Sequence, residues 1–225
     1  MLIPKTHFYV QAWAGQILGS DEVDVKGMPS LLRRRISPMG KEALALASAL
    51  PSLDAARFVF SSRHGEFSCT LSILKQIAKK EPLSPADFSL SVHHALISLL
   101  SIAHKNRNGH TAVSGGEESF GLGLVEAIAC LHEKPEEPVL LLHCDDLLPD
   151  DYAVYNEECS EPVVLALLLG SEKGAEYSFD VTPARGKQPI TSLSSDFLSF
   201  IQGQKSKAST QTTKHLWQWE QHGVR

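Results

Sequence analysis

The stretch Thr111-Ala-Val-Ser-Gly-Gly-Glu-Glu-Ser-Phe-Gly-Leu-Gly-Leu-Val-Glu-Ala-Ile-Ala129 gathers the residue types that could do chemistry. A short β-prone run meets two glycines and two acids, and an amphipathic helical pattern starts at once. Strand, tight turn and helix in that order make the elbow that presents a nucleophile in many acyl-transfer enzymes. The apex of such an elbow wants Cys or Ser, and here it holds Glu117. A carboxylate cannot take the thiol's part, because an acyl–carboxylate anhydride is lost to water far faster than a thioester. Its charge would also repel an anionic substrate. An acid at a helix amino terminus does interact favourably with the helix dipole and can cap free N–H groups. Glu117 or Glu118 could also reach an arginine across a subunit interface.

Ser119 is the other hydroxyl to weigh. It stands in Gly116-Glu-Glu-Ser-Phe-Gly121, one residue too long for Gly-x-Ser-x-Gly. As a nucleophile it would need an oriented base, and His93, His94, His104 and His110 are available. The competing reading is a helix-capping serine. Gly121-Leu-Gly123 with Glu126 lacks the third glycine of the dinucleotide fingerprint and reads as close backbone packing. His143-Cys-Asp-Asp146 with Asp150 and Asp151 carries metal-ligand types, but an acidic loop after a strand is as a rule solvated. No metal and no cofactor are expected, and no residue is assigned a catalytic role.

Several elements must position this elbow. Residues 7–14, 57–63, 111–114, 139–143, 163–169, 177–182 and 215–220 have the β-branched, aromatic or alternating patterns of strands. Residues 41–49, 66–80, 90–104, 120–131 and 192–202 have helical spacing. Trp217 and Trp219 alternate with polar positions, the period of a half-buried strand. Residues 203–213 are rich in Ser, Thr, Lys and Gln and are expected to form a mobile loop. Apolar strands alternating with helices predict a three-layered α/β domain spanning residues 1–225.

Composition narrows the function classes. The 225 residues have 43% hydrophobic and 21% charged content, as an ordinary globular chain does. A net charge of −5 supplies no overall basic field for nucleic acid. Arg33, Arg34 and Arg35 are a local exception, either a solvated face or a docking patch for an acidic partner. The cysteines at 69, 130, 144 and 159 are widely spaced, which fits reduced structural thiols. The amino terminus lacks the layout of a signal peptide, and the longest apolar run, residues 162–169, is too short for a bilayer span. A cytoplasmic location is expected.

Several ordered blocks carry a family resemblance. They are Ile36-Ser-Pro-Met-Gly40, Phe58-Val-Phe-Ser-Ser62, Arg63-His-Gly-Glu66, Leu83-Ser-Pro85, Phe88-Ser-Leu-Ser-Val-His93 and the elbow Val113-Ser-Gly-Gly-Glu-Glu-Ser-Phe120. From about residue 8 to residue 169 the chain resembles the amino-terminal half of the thiolase-like ketosynthases. More narrowly it is similar to the short chain-length-factor-like proteins of aryl-polyene, polyketide and fatty-acid gene clusters. The family elbow is of the type Val-Ser-Thr-Ala-Cys-Ala-Ser-Gly, so Glu117 aligns with the acyl-accepting cysteine and Ser119 with the elbow serine. The half that supplies the family's two decarboxylating histidines has no counterpart here. Asn108-Gly-His-Thr111 echoes a block of that half but lies before the elbow strand, so His110 inherits no role.

The resemblance implies a thiolase-like half-fold, a mixed β-sheet layered with helices. It implies a non-catalytic subunit that pairs as a heterodimer with a full-length ketosynthase and serves an acyl carrier protein. Gly115, Gly116, Glu117, Glu118 and Ser119 would then belong to the interface, and residues 92–103 to the wall of an acyl tunnel. Arg33, Arg34 and Arg35 would be the carrier-docking candidates. The alternative is a thioester hydrolase or acyltransferase using Ser119 with a nearby histidine.

Overall fold

A computed structural model describes residues 3–17, 36–156, 161–184, 191–203 and 205–224. Arg33, Arg34 and Arg35 lie outside the described residues. The strands are β1 (Ile3–Ile17), β2 (Arg57–Ser61), β3 (His110–Val113), β4 (Val139–Asp145), β5 (Val163–Gly170), β6 (Ala175–Pro183), β7 (Lys207–Gln211) and β8 (His215–Val224). They form one sheet in the order β3-β2-β4-β5-β1-β6-β8-β7. β2 runs parallel to β3 and β4, and the remaining neighbours are antiparallel. The helices are α1 (Pro38–Ser48), α2 (Phe67–Ala78), α3 (Pro85–Ser91), α4 (Ala95–Ala103), α5 (Ser119–Glu133) and α6 (Leu193–Gln202).

Strand alternation divides the apolar residues between two faces. Leu141 of β4 and Leu165 and Leu167 of β5 point to the side covered by α5 and α6, where Phe120, Leu124, Phe197 and Trp219 complete one core. Leu140, Leu142, Ala166 and Leu168 point the other way, against Leu44 of α1 and Leu96 and Leu100 of α4. This is the three-layered, thiolase-like arrangement, and burial on both faces explains why β4 and β5 read as continuous apolar runs.

Two local expectations need correction. Residues 203–213 are not wholly a loop: β7 occupies Lys207–Gln211 and pairs with β8 in register Thr210 to Trp217. An edge strand needs backbone partners on one side only, so a polar sequence can occupy it. The helical run 90–104 is two helices, because Val92 is extended at ψ 144° and α4 begins only at Ala95. No single helix among the described residues is long and apolar enough to cross a membrane.

The glycines of α5 set how closely it lies on the sheet. A Cβ on Gly121 would stand 2.4–2.8 Å from three ring atoms of the buried Trp217. One on Gly123 would stand 2.6 Å from Ser61 Cβ. Both glycines are therefore packing contacts, not phosphate-binding ones. Gly121→Ala must displace a rigid, buried indole held between α5 and the sheet, and overpacking of this kind costs about 1–3 kcal/mol. Urea denaturation should show that loss with little change in slope; an unchanged midpoint would contradict the packing.

Candidate functional site

The elbow is assembled at the carboxyl ends of the parallel strands. β2 and β3 stay together past their last residues, because the Ser62 N–H donates to the Val113 carbonyl at 3.2 Å and Ser114 Oγ to the Arg63 carbonyl at 3.2 Å. The chain then reverses through Gly116, whose φ of +66° is a left-handed conformation that a side chain would disfavour. A 3-10 turn, Gly116–Glu118, leads directly into α5.

Ser119 closes this reversal. Its hydroxyl donates to the Gly116 carbonyl at 2.7 Å and accepts from the Gly115 N–H at 3.0 Å, and the residue is 1% exposed. The four histidines considered as its base are engaged elsewhere. His93 Nε2 lies 3.0 Å from the Ser62 carbonyl, His104 Nε2 3.0 Å from Ser48 Oγ, and His110 Nε2 3.3 Å from Ser98 Oγ. His94 packs its ring beside that of His110. The structure brings none of them into hydrogen bonding with Ser119.

The two acids are held by the chain itself, through the turn between β7 and β8. Glu117 Oε1 accepts from the Thr213 N–H at 3.0 Å and from the Thr213 hydroxyl. Glu118 is 6% exposed and is the better supplied of the two. Its Oε1 accepts from Thr212 Oγ1 at 2.6 Å and from the Trp217 indole N–H at 3.3 Å. His215 Nδ1 lies 2.8 and 3.0 Å from its two oxygens. Burial alone would push the Glu118 carboxyl up, but the donations from Thr212, His215 and Trp217, with the nearby imidazole, outweigh it and hold the group below its ordinary value. Thr212, Thr213, His215 and Trp217 were missed by sequence reasoning, since they lie some hundred positions away; only the Trp alternation pointed inward.

Beside the elbow, β4 contributes a second constellation. His143 and Asp145 share one side of the strand. Nδ1 of His143 lies 3.0 Å from the hydroxyl of Ser61 on β2, and Nε2 lies 3.5 Å from Asp145 Oδ2. Asp145 Oδ1 accepts from Ser62 Oγ at 2.9 Å and from the Arg63 N–H at 2.6 Å. Burial holds the His143 imidazole below its ordinary pKa despite Asp145, so the ring is neutral near pH 7. Burial, with the neighbouring Asp145, raises the Asp146 carboxyl. A cleft of about 60 Å³ opens here, lined by Arg63, His64, Glu117, Phe120, His143 and Asp145 among others. Among the described residues no group of three His, Cys, Asp or Glu is arranged to hold a metal ion.

Residues 10–220 match the family described as beta-ketoacyl synthase, N-terminal domain. The chain belongs to that family. Its fold is similar to a chain in the structure of the ketosynthase ApeO in complex with its chain length factor ApeC from Xenorhabdus doucetiae, at 22% identity and a TM-score of 0.82, covering 96% of this chain and 99% of that one. It is also similar to a beta-ketoacyl synthase from Burkholderia phymatum STM815, at 13% identity and a TM-score of 0.56 over 76% of this chain. There it spans only 54% of the neighbour, about half its length. No curated protein sequence matches the chain.

The Glu118 network has a pH signature. Because its folded-state pKa is depressed, the stabilisation is complete above the unfolded-state value, about 4.3, and is lost as pH falls through the folded value. Glu118→Gln should lower stability at pH 7 by about 1–3 kcal/mol, since buried donors lose a charged acceptor. The difference in urea midpoint from the wild type should be constant above the unfolded-state value and shrink progressively as pH falls below it. A constant difference from pH 7 to pH 3 would contradict the assignment.

Proposed function

We propose that the chain is a non-catalytic, chain-length-factor-like subunit that pairs with an active ketosynthase. The carrying observation is the state of the nucleophile position. Glu117 stands there, and its carboxylate is tied to Thr213 of the same chain. Condensation needs a thiolate to hold the acyl group and donors around the developing oxyanion. Ser119 offers no replacement, since its hydroxyl serves the backbone of the elbow on both sides.

The edge of the sheet supports a pairing role. β3 is the terminal strand next to the elbow, hydrogen-bonded to β2 on one side. Its outer side offers backbone N–H and C=O groups that another sheet can meet. On this reading Gly115, Gly116, Glu117, Glu118 and Ser119 keep the end of β3 in the shape a partner requires. The similarity to a chain of the complex between the ketosynthase ApeO and its chain length factor ApeC favours the same assembly. The pair would serve aryl-polyene, polyketide or fatty-acid type biosynthesis. An acyl carrier protein would deliver the chain, and Arg33, Arg34 and Arg35 would be its docking candidates by charge alone.

Co-expression with a full-length ketosynthase from the same organism, followed by size-exclusion chromatography, tests the pairing. Co-elution in equal amounts is expected. Ala112→Glu, which puts a charge on an exposed position of β3, should weaken it about tenfold while the melting temperature stays within a few degrees. Separate elution of the two wild-type chains would overturn the proposal. So would thioester turnover by the isolated chain that Ser119→Ala abolishes.

A further inference from the structure

One flank of β1 is left open by the way the chain crosses it. β5 and β6 both run antiparallel to β1, but on opposite flanks and along different halves of its length. β5 pairs with Tyr9 to Ile17 and β6 with Ile3 to Val10. Residues 171–174 carry the chain from one flank to the other, and they pass close to the β1 backbone. A Cβ on Gly174 would stand 2.3 Å from the Val10 carbonyl oxygen, and its φ of +121° is a conformation that favours glycine. From Ile3 to Phe8, β1 therefore has no strand on its β5 flank among the described residues. Successive residues of an antiparallel strand turn their N–H and C=O to alternate sides. This flank accordingly presents main-chain donors and acceptors that no strand meets.

A cavity of about 260 Å³ occupies the gap beyond the end of β5. Phe8 of β1 and Ile128 and Leu131 of α5 give it an apolar floor, and His132 stands on the wall formed by the last helical turn. Ser171 Oγ donates to the Pro135 carbonyl at 2.9 Å and fixes the crossing turn against the end of α5. No Asp, Glu, Lys or Arg lines the cavity. The charged groups beside it are already answered: His7 Nδ1 lies 3.1 Å from Glu176 Oε1, and Lys134 Nζ donates to Glu137 at 2.8 Å. Such surroundings favour an uncharged ligand. Along the strand the open flank is short. Pro4 has no N–H, the register with β6 shifts between Ile3 and Thr6, and Gly170 bounds the other end.

We infer that this cavity binds a small uncharged molecule in which a secondary amide carries a branched or aromatic apolar group. The amide offers one N–H and one C=O to the open flank of β1, and the apolar group covers Phe8, Ile128 and Leu131. A long added strand would need a continuous edge, which Pro4 and the register shift interrupt. The site lies at the opposite end of α5 from the elbow, roughly 20 Å away along a helix of 15 residues. It goes beyond the partner-subunit reading and does not depend on it.

The test titrates the full chain with N-acetyl-L-leucine N′-methylamide and follows it by NMR. Saturable shifts are expected in the methyl groups of Ile128 and Leu131 and in the main-chain amides of residues 6–8. The analogue with an ester oxygen in place of the leucine N–H should bind about tenfold more weakly. The glycine analogue, which lacks the isobutyl group, should lose at least about tenfold. His132→Trp places a large ring at an exposed position on the cavity wall and should abolish the shifts while the melting temperature is unchanged. If that variant does not fold, the ligand series on the wild-type chain still decides the question. No saturable shift, or equal binding of the amide and the ester, would overturn the inference. So would tighter binding of the capped pentapeptide Ala-Ala-Leu-Ala-Ala than of the single residue, because the flank would then suit an added strand better than a small molecule.

Discussion

A carboxylate buried at the start of α5 can persist only if the fold surrounds it with donors, and much of this structure is arranged to do so. An ionised group taken out of water without partners would neutralise or unfold its surroundings. Glu118 is answered by Thr212, His215 and Trp217, all from the β7–β8 hairpin. The hairpin is thereby joined to the elbow across most of the sheet. Thr212 gains from the same arrangement, because its hydroxyl also accepts the His215 N–H at 2.9 Å and closes the turn. The elbow's shape and the carboxyl-terminal strands are consequently one cooperative unit.

Close packing gives that unit its rigidity. α5 carries glycine at positions 121 and 123, where the helix meets Trp217 and Ser61. These contacts set the depth of the helix against β2 and β8. Phe120, one turn from the acids, packs at a tilt against Phe197 of α6 at 4.9 Å and meets His143 edge-on at 5.5 Å. The aromatic core therefore reaches the wall of the cleft, so His143 is held by a ring on one side and the Ser61 hydroxyl on the other.

What was legible in the sequence depended on whether the signal was local. Strands β4 and β5 were visible because burial on both faces leaves unbroken apolar runs, and β8 because Trp217 and Trp219 alternate with polar residues. The elbow was visible because a left-handed turn into a helix demands glycine, and Gly116 supplies it. β7 was not, since its polar residues pair through the backbone, which any sequence can do. The break between α3 and α4 was hidden too: apolar spacing continues through Val92 without a proline or glycine to mark the kink. The site divides in the same way. Glu117 and Ser119 follow from the motif, whereas the partners of Glu118 and the Ser61–His143 contact join residues about 80–100 positions apart. Those contacts come from sheet order, for which the sequence holds no local signal.

Replacing a thiol by a carboxylate at the apex changes the field as well as the nucleophile. A like-charged carboxylate brought to about 4 Å from Glu117 is opposed by roughly 4 kcal/mol at a surface-like effective dielectric, nearly a thousandfold in occupancy. Asp145, Asp146 and Glu161 line the same cleft and add to that opposition. An anionic extender unit is therefore disfavoured by several groups, only one of which stands where the family's cysteine would. Returning a cysteine to position 117 would restore the sulfur but leave three acids around it, and would release the Thr213 turn that the carboxylate holds. On the proposed reading the departure from condensing chemistry would be distributed over the elbow, β4 and the β7–β8 turn, so the proposal rests on the whole cleft and not on one substitution.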